Sequence, residues 1–137
     1  MTSEPPSGAP APADPLVLIV DDDERNRKLA RDVLGRSGLR TIAAAGGRAA
    51  LALARDRLPD VVLLDLRLPD MEGSDVARAI REEERTAHIP VVALTALRYP
   101  AGGARLLADG FSGYLEKPID VRTFPDQVRG YCRRPRG

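Results

Sequence analysis

The stretch Val61–Gly73, VVLLDLRLPDMEG, constrains this chain more than any other. Four consecutive aliphatic residues with no polar residue between them fit a strand buried on both faces, and the run ends directly on Asp65. Pro69 and Gly73 mark the residues that follow as a loop, and a helical pattern resumes only after Ser74. The strand therefore delivers one carboxylate to its carboxyl end, at the rim of a sheet. An Asp after a strand also serves as a turn cap, so its meaning depends on what other strands bring to the same rim.

Two other runs repeat the pattern. Leu16–Val20, LVLIV, stops at Asp21, Asp22 and Asp23, and Val91–Leu94, VVAL, ends in Thr95-Ala96. Thr41–Ala45 is a weaker, shorter strand candidate, and Gly113–Glu116 is a last one, followed by Lys117-Pro118. Helical stripes fill the intervals. Leu29, Ala30, Val33 and Leu34 share a face after Glu24; Ala50, Leu53, Ala54 and Leu58 share one after Gly46-Gly47, ended by Pro59. Val76, Ala77 and Ile80 oppose a polar face of Arg78, Arg81, Glu82 and Arg85, and His88 falls in the surface loop that follows. Pro100, Gly102 and Gly103 are poor helix formers, which delays the fourth helix to about Ala104. Phe124, Val128 and Cys132 mark a terminal helix, with Thr123 as N-cap and Pro125 in its first turn.

Strand and helix alternate about five times, and strands separated by helices run parallel through right-handed crossovers. The expected fold class is α/β: a doubly wound parallel sheet with helices on both faces. A length of 137 residues with 43% hydrophobic composition suits one domain, expected over residues 16–132. Residues 1–15, rich in Pro and Ala, are expected to form a disordered tail, and residues 133–137 a short basic one. No run is long enough to span a bilayer, nothing resembles a signal peptide, and Cys132 is the only cysteine, which together favour the cytoplasm. A net charge of +1 gives no general attraction to nucleic acid or membrane.

In a doubly wound sheet, sites form beyond the carboxyl ends of the strands. Asp21, Asp22, Asp65, Thr95 and Lys117 all fall there. Three carboxylates in one crevice repel one another unless a cation sits among them, and an all-oxygen donor set selects a hard ion. Mg²⁺ fits, because it keeps several waters and uses few carboxylates together with phosphate oxygens. Lys117 and the Thr95 hydroxyl would hold the oxygens of a phosphoryl group in transfer, which makes Asp65 the nucleophile of an acyl phosphate. Lys28 and Lys117 are the only lysines in an Arg-rich chain, and an ammonium is the more compact point charge.

With LVLIVDDD, VVLLDLRLPDMEG, VVALTA and GYLEKPI in this order and spacing, the chain resembles the receiver domains of two-component response regulators from about Leu16 to Cys132. The resemblance implies a flavodoxin-like sheet in the order 2-1-3-4-5. It also implies that Asp65 takes phosphate from a histidine kinase or histidine phosphotransfer protein. Asp22 and Asp65 would ligate Mg²⁺ with the backbone carbonyl of Arg67, Asp21 would act through a water, and Lys117 would pair with the phosphoryl oxygens. Thr95 and Tyr114 match the switch pair, which biases the face made by the fourth helix, fifth strand and fifth helix toward a downstream protein target. The expected function is that of a stand-alone regulator that catalyses its own phosphorylation and dephosphorylation and turns over no external substrate.

Alternatives are a scaffold that works without phosphorylation and a shuttling intermediate of a phosphorelay. The Pro100–Gly103 segment departs from the family at the signalling face, while Arg67 and Leu97 occupy positions that tune phosphoryl lifetime. An aspartate-nucleophile phosphatase would need a general acid where Arg67 stands, and Arg holds its proton at neutral pH. Gly46-Gly47 lacks the spacing of a nucleotide-binding loop.

Overall fold

The computed structural model describes residues 14–95 and 104–132. Most of the expected tails, and the expectations placed on Leu97 and Pro100–Gly103, lie outside those residues. Five strands, β1 (Leu16–Val20), β2 (Arg40–Ala44), β3 (Val61–Asp65), β4 (Val91–Thr95) and β5 (Gly113–Glu116), form one parallel sheet in the order 2-1-3-4-5. Five helices connect and close them: α1 (Glu24–Arg36), α2 (Gly47–Arg57), α3 (Gly73–Glu82), α4 (Ala104–Ala108) and α5 (Phe124–Tyr131). The doubly wound fold and its strand order are as expected.

The unbroken aliphatic runs are explained by the sheet having two cores. Successive side chains of a strand point to opposite faces, so a strand covered on both sides needs apolar residues at every position. Leu18, Val20, Val62, Leu64, Val91 and Ala93 pack on the face covered by α2 and α3, against Ala50, Ala54, Val76 and Ile80. Val17, Ile19, Val61, Leu63, Val92 and Leu94 face the other way, onto Ala30 and Leu34 of α1 and Phe124 and Val128 of α5. β2 reads as weakly apolar because it is an edge strand, hydrogen-bonded to β1 alone, and only Ala44 is buried in it. It begins at Arg40 and ends at Ala44, one residue earlier at each end than the pattern suggested. Asp14 and Pro15 are tied to it: the Arg40 guanidinium donates to the Asp14 carbonyl and the Arg40 amide to that of Pro15.

Three local expectations are corrected. Leu29, expected on the buried stripe of α1, is 42% exposed; it walls an open cavity of about 240 Å³ with Ile19 and Leu94 of the sheet and with Pro118 and Ile119. Thr123 stands at the N-cap of α5, but its side chain caps nothing. Its backbone is already helical (φ −104°, ψ −20°) where a capping residue is extended, and the N2 position, whose amide a cap can take, is Pro125, which has none. Arg81, expected on the polar face of α3, is partly buried and bonded through all three of its nitrogens. Its Nε donates to the carbonyl of Gly110 (3.0 Å), Nη1 to those of Ala87 (2.6 Å) and Ile89 (2.8 Å), and Nη2 to Ser112 Oγ (3.1 Å). One guanidinium thus fastens α3 to the loops entering β4 and β5. Burial lowers its pKa, though a guanidinium keeps its proton in any protein.

Arg81→Leu keeps the aliphatic stem and leaves those carbonyls without their donor. It is expected to cost about 2 kcal/mol in urea unfolding, with no effect on the rim of the sheet. His88 is exposed, as expected. Cys132 is half-buried, and burial foremost pushes its thiol up to about 11. Alkylation of native protein at pH 8 is therefore expected to run about 100-fold slower than that of an ordinary thiol, and to reach the ordinary rate in denaturant.

Candidate functional site

The parallel register brings the carboxyl ends of β1, β3 and β5 to one rim, and their polar residues with them. Asp21, Asp22 and Asp65 each offer a carboxylate oxygen within 4.8 Å of the others. Their environments differ. Asp21 is buried, with its carboxylate held from two sides: Oδ1 accepts the Asp23 amide (2.9 Å) and Oδ2 accepts Lys117 Nζ (3.1 Å). Asp65 is half-buried; its Oδ1 accepts the Arg67 amide (3.0 Å) and its Oδ2 accepts the same ammonium (3.2 Å). Asp22 is exposed.

Lys117 is thus the counter-charge shared by two of the three acids. Burial pulls its pKa down, but the hydrogen bond and charge of Asp21, and then those of Asp65, outweigh burial and leave it raised. Its amide donates to the carbonyl of Thr95, which ties the start of this loop to β4. Thr95 itself is buried at the end of β4. Tyr114, in β5 beside Ala93, is half-buried against the core on the α2–α3 face.

One cation among three carboxylates leaves the rim net negative. An all-oxygen donor set of this kind fits a hard divalent ion such as Mg²⁺, which uses few carboxylates and keeps several of its waters. A thiolate or imidazole is absent from the cluster, so the softer metals have nothing to select.

The loop from Leu66 to Glu72 leaves the sheet directly after Asp65. It folds back on itself through an antiparallel bridge between Arg67 and Glu72 and a hydrogen bond from the Gly73 amide to the Leu66 carbonyl. Gly73 is required by that close return: a Cβ there would lie 2.9 Å from Leu66 Cα and 3.0 Å from the Asp65 carbonyl oxygen. Sequence reasoning passed over one residue of this loop. Asp70 accepts hydrogen bonds from the amides of Gly47 (2.8 Å) and Arg48 (3.1 Å), the first turn of α2. The signal was present in Gly46, an N-cap residue with no side chain to cap with.

The response regulator receiver domain model matches residues 17–129. The chain belongs to the response regulator receiver family. Among curated proteins it is 39% identical over 115 residues to the polar-differentiation response regulator DivK of Brucella ovis, an alignment covering 84% of this chain and 94% of that one. Among solved structures it matches the chemotaxis protein CheY4 of Vibrio cholerae with a TM-score of 0.81 and 30% identity, over 87% of this chain and 99% of that one. The receiver domain of the sensor histidine kinase PA1611 of Pseudomonas aeruginosa, solved with a magnesium ion coordinated in its active-site cleft, matches with a TM-score of 0.78 and 28% identity, over 87% and 98% of the two chains. Receiver domains bind Mg²⁺ in this acidic pocket, and Asp21, Asp22 and Asp65 form such a cluster here. No helix among the described residues of this receiver is long and apolar enough to cross a membrane.

Proposed function

We propose that this receiver accepts a phosphoryl group on Asp65 from a phosphohistidine of a histidine kinase or histidine phosphotransfer protein. The observation that carries the reading is the joint placement of Asp65 within ligand distance of Asp21 and Asp22 and within 3.2 Å of the Lys117 ammonium. A carboxylate oxygen of Asp65 attacks phosphorus, the N–P bond breaks, and its electron pair returns to the donor nitrogen, which takes up a proton. The product is an acyl phosphate on Asp65.

Asp22, Asp65 and the Arg67 carbonyl would hold Mg²⁺ directly, and Asp21 would reach it through water. Bound there, the ion supplies positive charge to the equatorial phosphoryl oxygens. Lys117 turns from Asp65 to the phosphoryl group while keeping its bond to Asp21. Thr95 turns its hydroxyl toward the phosphoryl group and Tyr114 moves into the space released, which shifts the balance of the face made by α4, β5 and α5 toward a downstream protein. Alignment over 94% of DivK supports reading residues 16–132 as a whole receiver, whose output would come through contact with another protein.

The test is intact-mass measurement after incubation with Mg²⁺ and phosphoramidate. One phosphoryl adduct, lost when EDTA replaces Mg²⁺, is expected. No adduct, under conditions that label another receiver, would overturn the reading and favour a scaffold that works unphosphorylated.

A further inference from the structure

The hydrogen bonds inside the Leu66–Glu72 loop close it on itself but do not tie its tip to the rest of the domain. Two neighbouring side chains do. Asp70 spans the first two amides of α2, one with each carboxylate oxygen, across 23 and 22 residues of sequence. Met71 lies beside it against Gly47, where a Cβ would come within 2.8 Å of Met71 Sδ and of Val76 Cγ2. The amides at a helix N-terminus need an acceptor and carry partial positive charge, and the residue at that N-cap, Gly46, offers no side chain. The acceptor therefore comes from the loop, and capping the helix fixes the loop.

We propose that Asp70 is a positioning residue: by clamping the loop tip to α2 it holds the Arg67 carbonyl at the distance from Asp65 and Asp22 that a divalent cation needs. This rests on the reading of the site given above. The Gly47 and then the Arg48 amide hold the Asp70 carboxyl below its ordinary value, so the clamp stays ionised at neutral pH. Gly46 and Gly47 act as a pair in this arrangement. A Cβ at Gly46 would lie 2.8 Å from Asp70 Oδ1, so a side-chain cap at Gly46 and the clamp from Asp70 exclude each other.

That exclusion supplies the test, because it separates capping from positioning. Wild type, Asp70→Ala, Asp70→Asn and the double variant Gly46→Ser/Asp70→Ala would be titrated with Mg²⁺ by calorimetry and compared without metal by hydrogen exchange and thermal melting. Gly46 has extended backbone, φ −153°, which serine adopts as an N-cap, and the alanine at 70 clears its side chain.

Asp70→Ala is expected to weaken Mg²⁺ binding about 10-fold, the lower end of what outer supporting residues cost a metal site, and to speed exchange in residues 66–72. Asp70→Asn should fall between it and wild type. The double variant should regain the melting temperature and the slow exchange of the first turn of α2, while Mg²⁺ binding stays weak. Recovery of Mg²⁺ affinity in the double variant would overturn the proposal, since Asp70 would then act only as a cap. Wild-type affinity in Asp70→Ala would overturn it as well. Absence of Mg²⁺ binding in wild type would overturn the reading of the site itself, and this proposal with it.

Discussion

Asp65→Asn is expected to take up no phosphoryl group from phosphoramidate, a loss of at least about 100-fold in adduct formation by intact mass, because an amide lacks the anionic oxygen that attacks. The substitution is nearly isosteric, and the fold should survive it. The attraction lost between Asp65 and Lys117, at 3.2 Å, is set against two repulsions relieved against Asp21 and Asp22, whose nearest oxygens lie within 4.8 Å. These roughly cancel, so the melting temperature without metal should change little. Mg²⁺, which raises the melting temperature of wild type by mass action, should raise that of the variant less, because one ligand has lost its charge. A phosphoryl adduct on the variant equal to that on wild type would move the acceptor to another side chain. Collapse of the fold would show instead that the Asp65–Lys117 contact outweighs the repulsions.

Lys117→Met acts in the opposite sense. Methionine keeps much of the stem and removes the only ammonium bonded to Asp21 and Asp65. The side chain of Asp21 is 2% exposed, so its charge has little water to turn to, and an uncompensated buried carboxylate is costly. With the partial exposure of Lys117 allowed for, the loss in metal-free buffer is expected to be about 2–3 kcal/mol, or about 10 °C in melting temperature for a domain of this size. Mg²⁺ should restore part of it by supplying the missing positive charge. Phosphorylation should slow by about 100-fold even at saturating Mg²⁺, as when one preorganised donor to a developing charge is removed.

The pH dependence follows from the raised pKa of Lys117. A folded-state value above the ordinary lysine value of 10.5 means that the stabilisation is fully present below 10.5 and is lost as pH rises through the folded value. The difference between wild type and Lys117→Met should therefore hold from neutral pH to about 10 and close only in stronger alkali. A gap that closed between pH 7 and 9 would mean that Lys117 is not the counter-charge. An unchanged melting temperature in EDTA would mean the same.

The central strands were legible because burial on both faces leaves a local signature: a strand with no solvent side has no polar alternation, and LVLIV, VVLLD and VVAL each show it. The punctuating acids, Thr95 and Lys117 were legible for a related reason, since a buried run can end in polar side chains only where the sheet meets water or a site. Leu29, Arg81, Thr123 and Asp70 were not legible in this way. Leu29 carries the right period for the core of α1, but it lines an open cavity and stays 42% exposed. Arg81 looks like the residues around it, and its acceptors arrive from the loops before β4 and β5.

By itself the sequence determined the alternation of strands and helices, the two-sided core, and which residues stand at the rim, because these follow from hydrophobic period and from chain punctuation, both local properties. The tertiary structure alone decided that one ammonium is shared by Asp21 and Asp65, that one guanidinium fastens α3 to two loops, and that a carboxylate from one loop caps a helix whose own cap is glycine. Each of these includes at least one hydrogen bond between residues more than 20 positions apart, whose partners no local pattern specifies. Charged groups leave water only where several acceptors or a counter-charge meet them, and that meeting is set by the packing of the whole sheet.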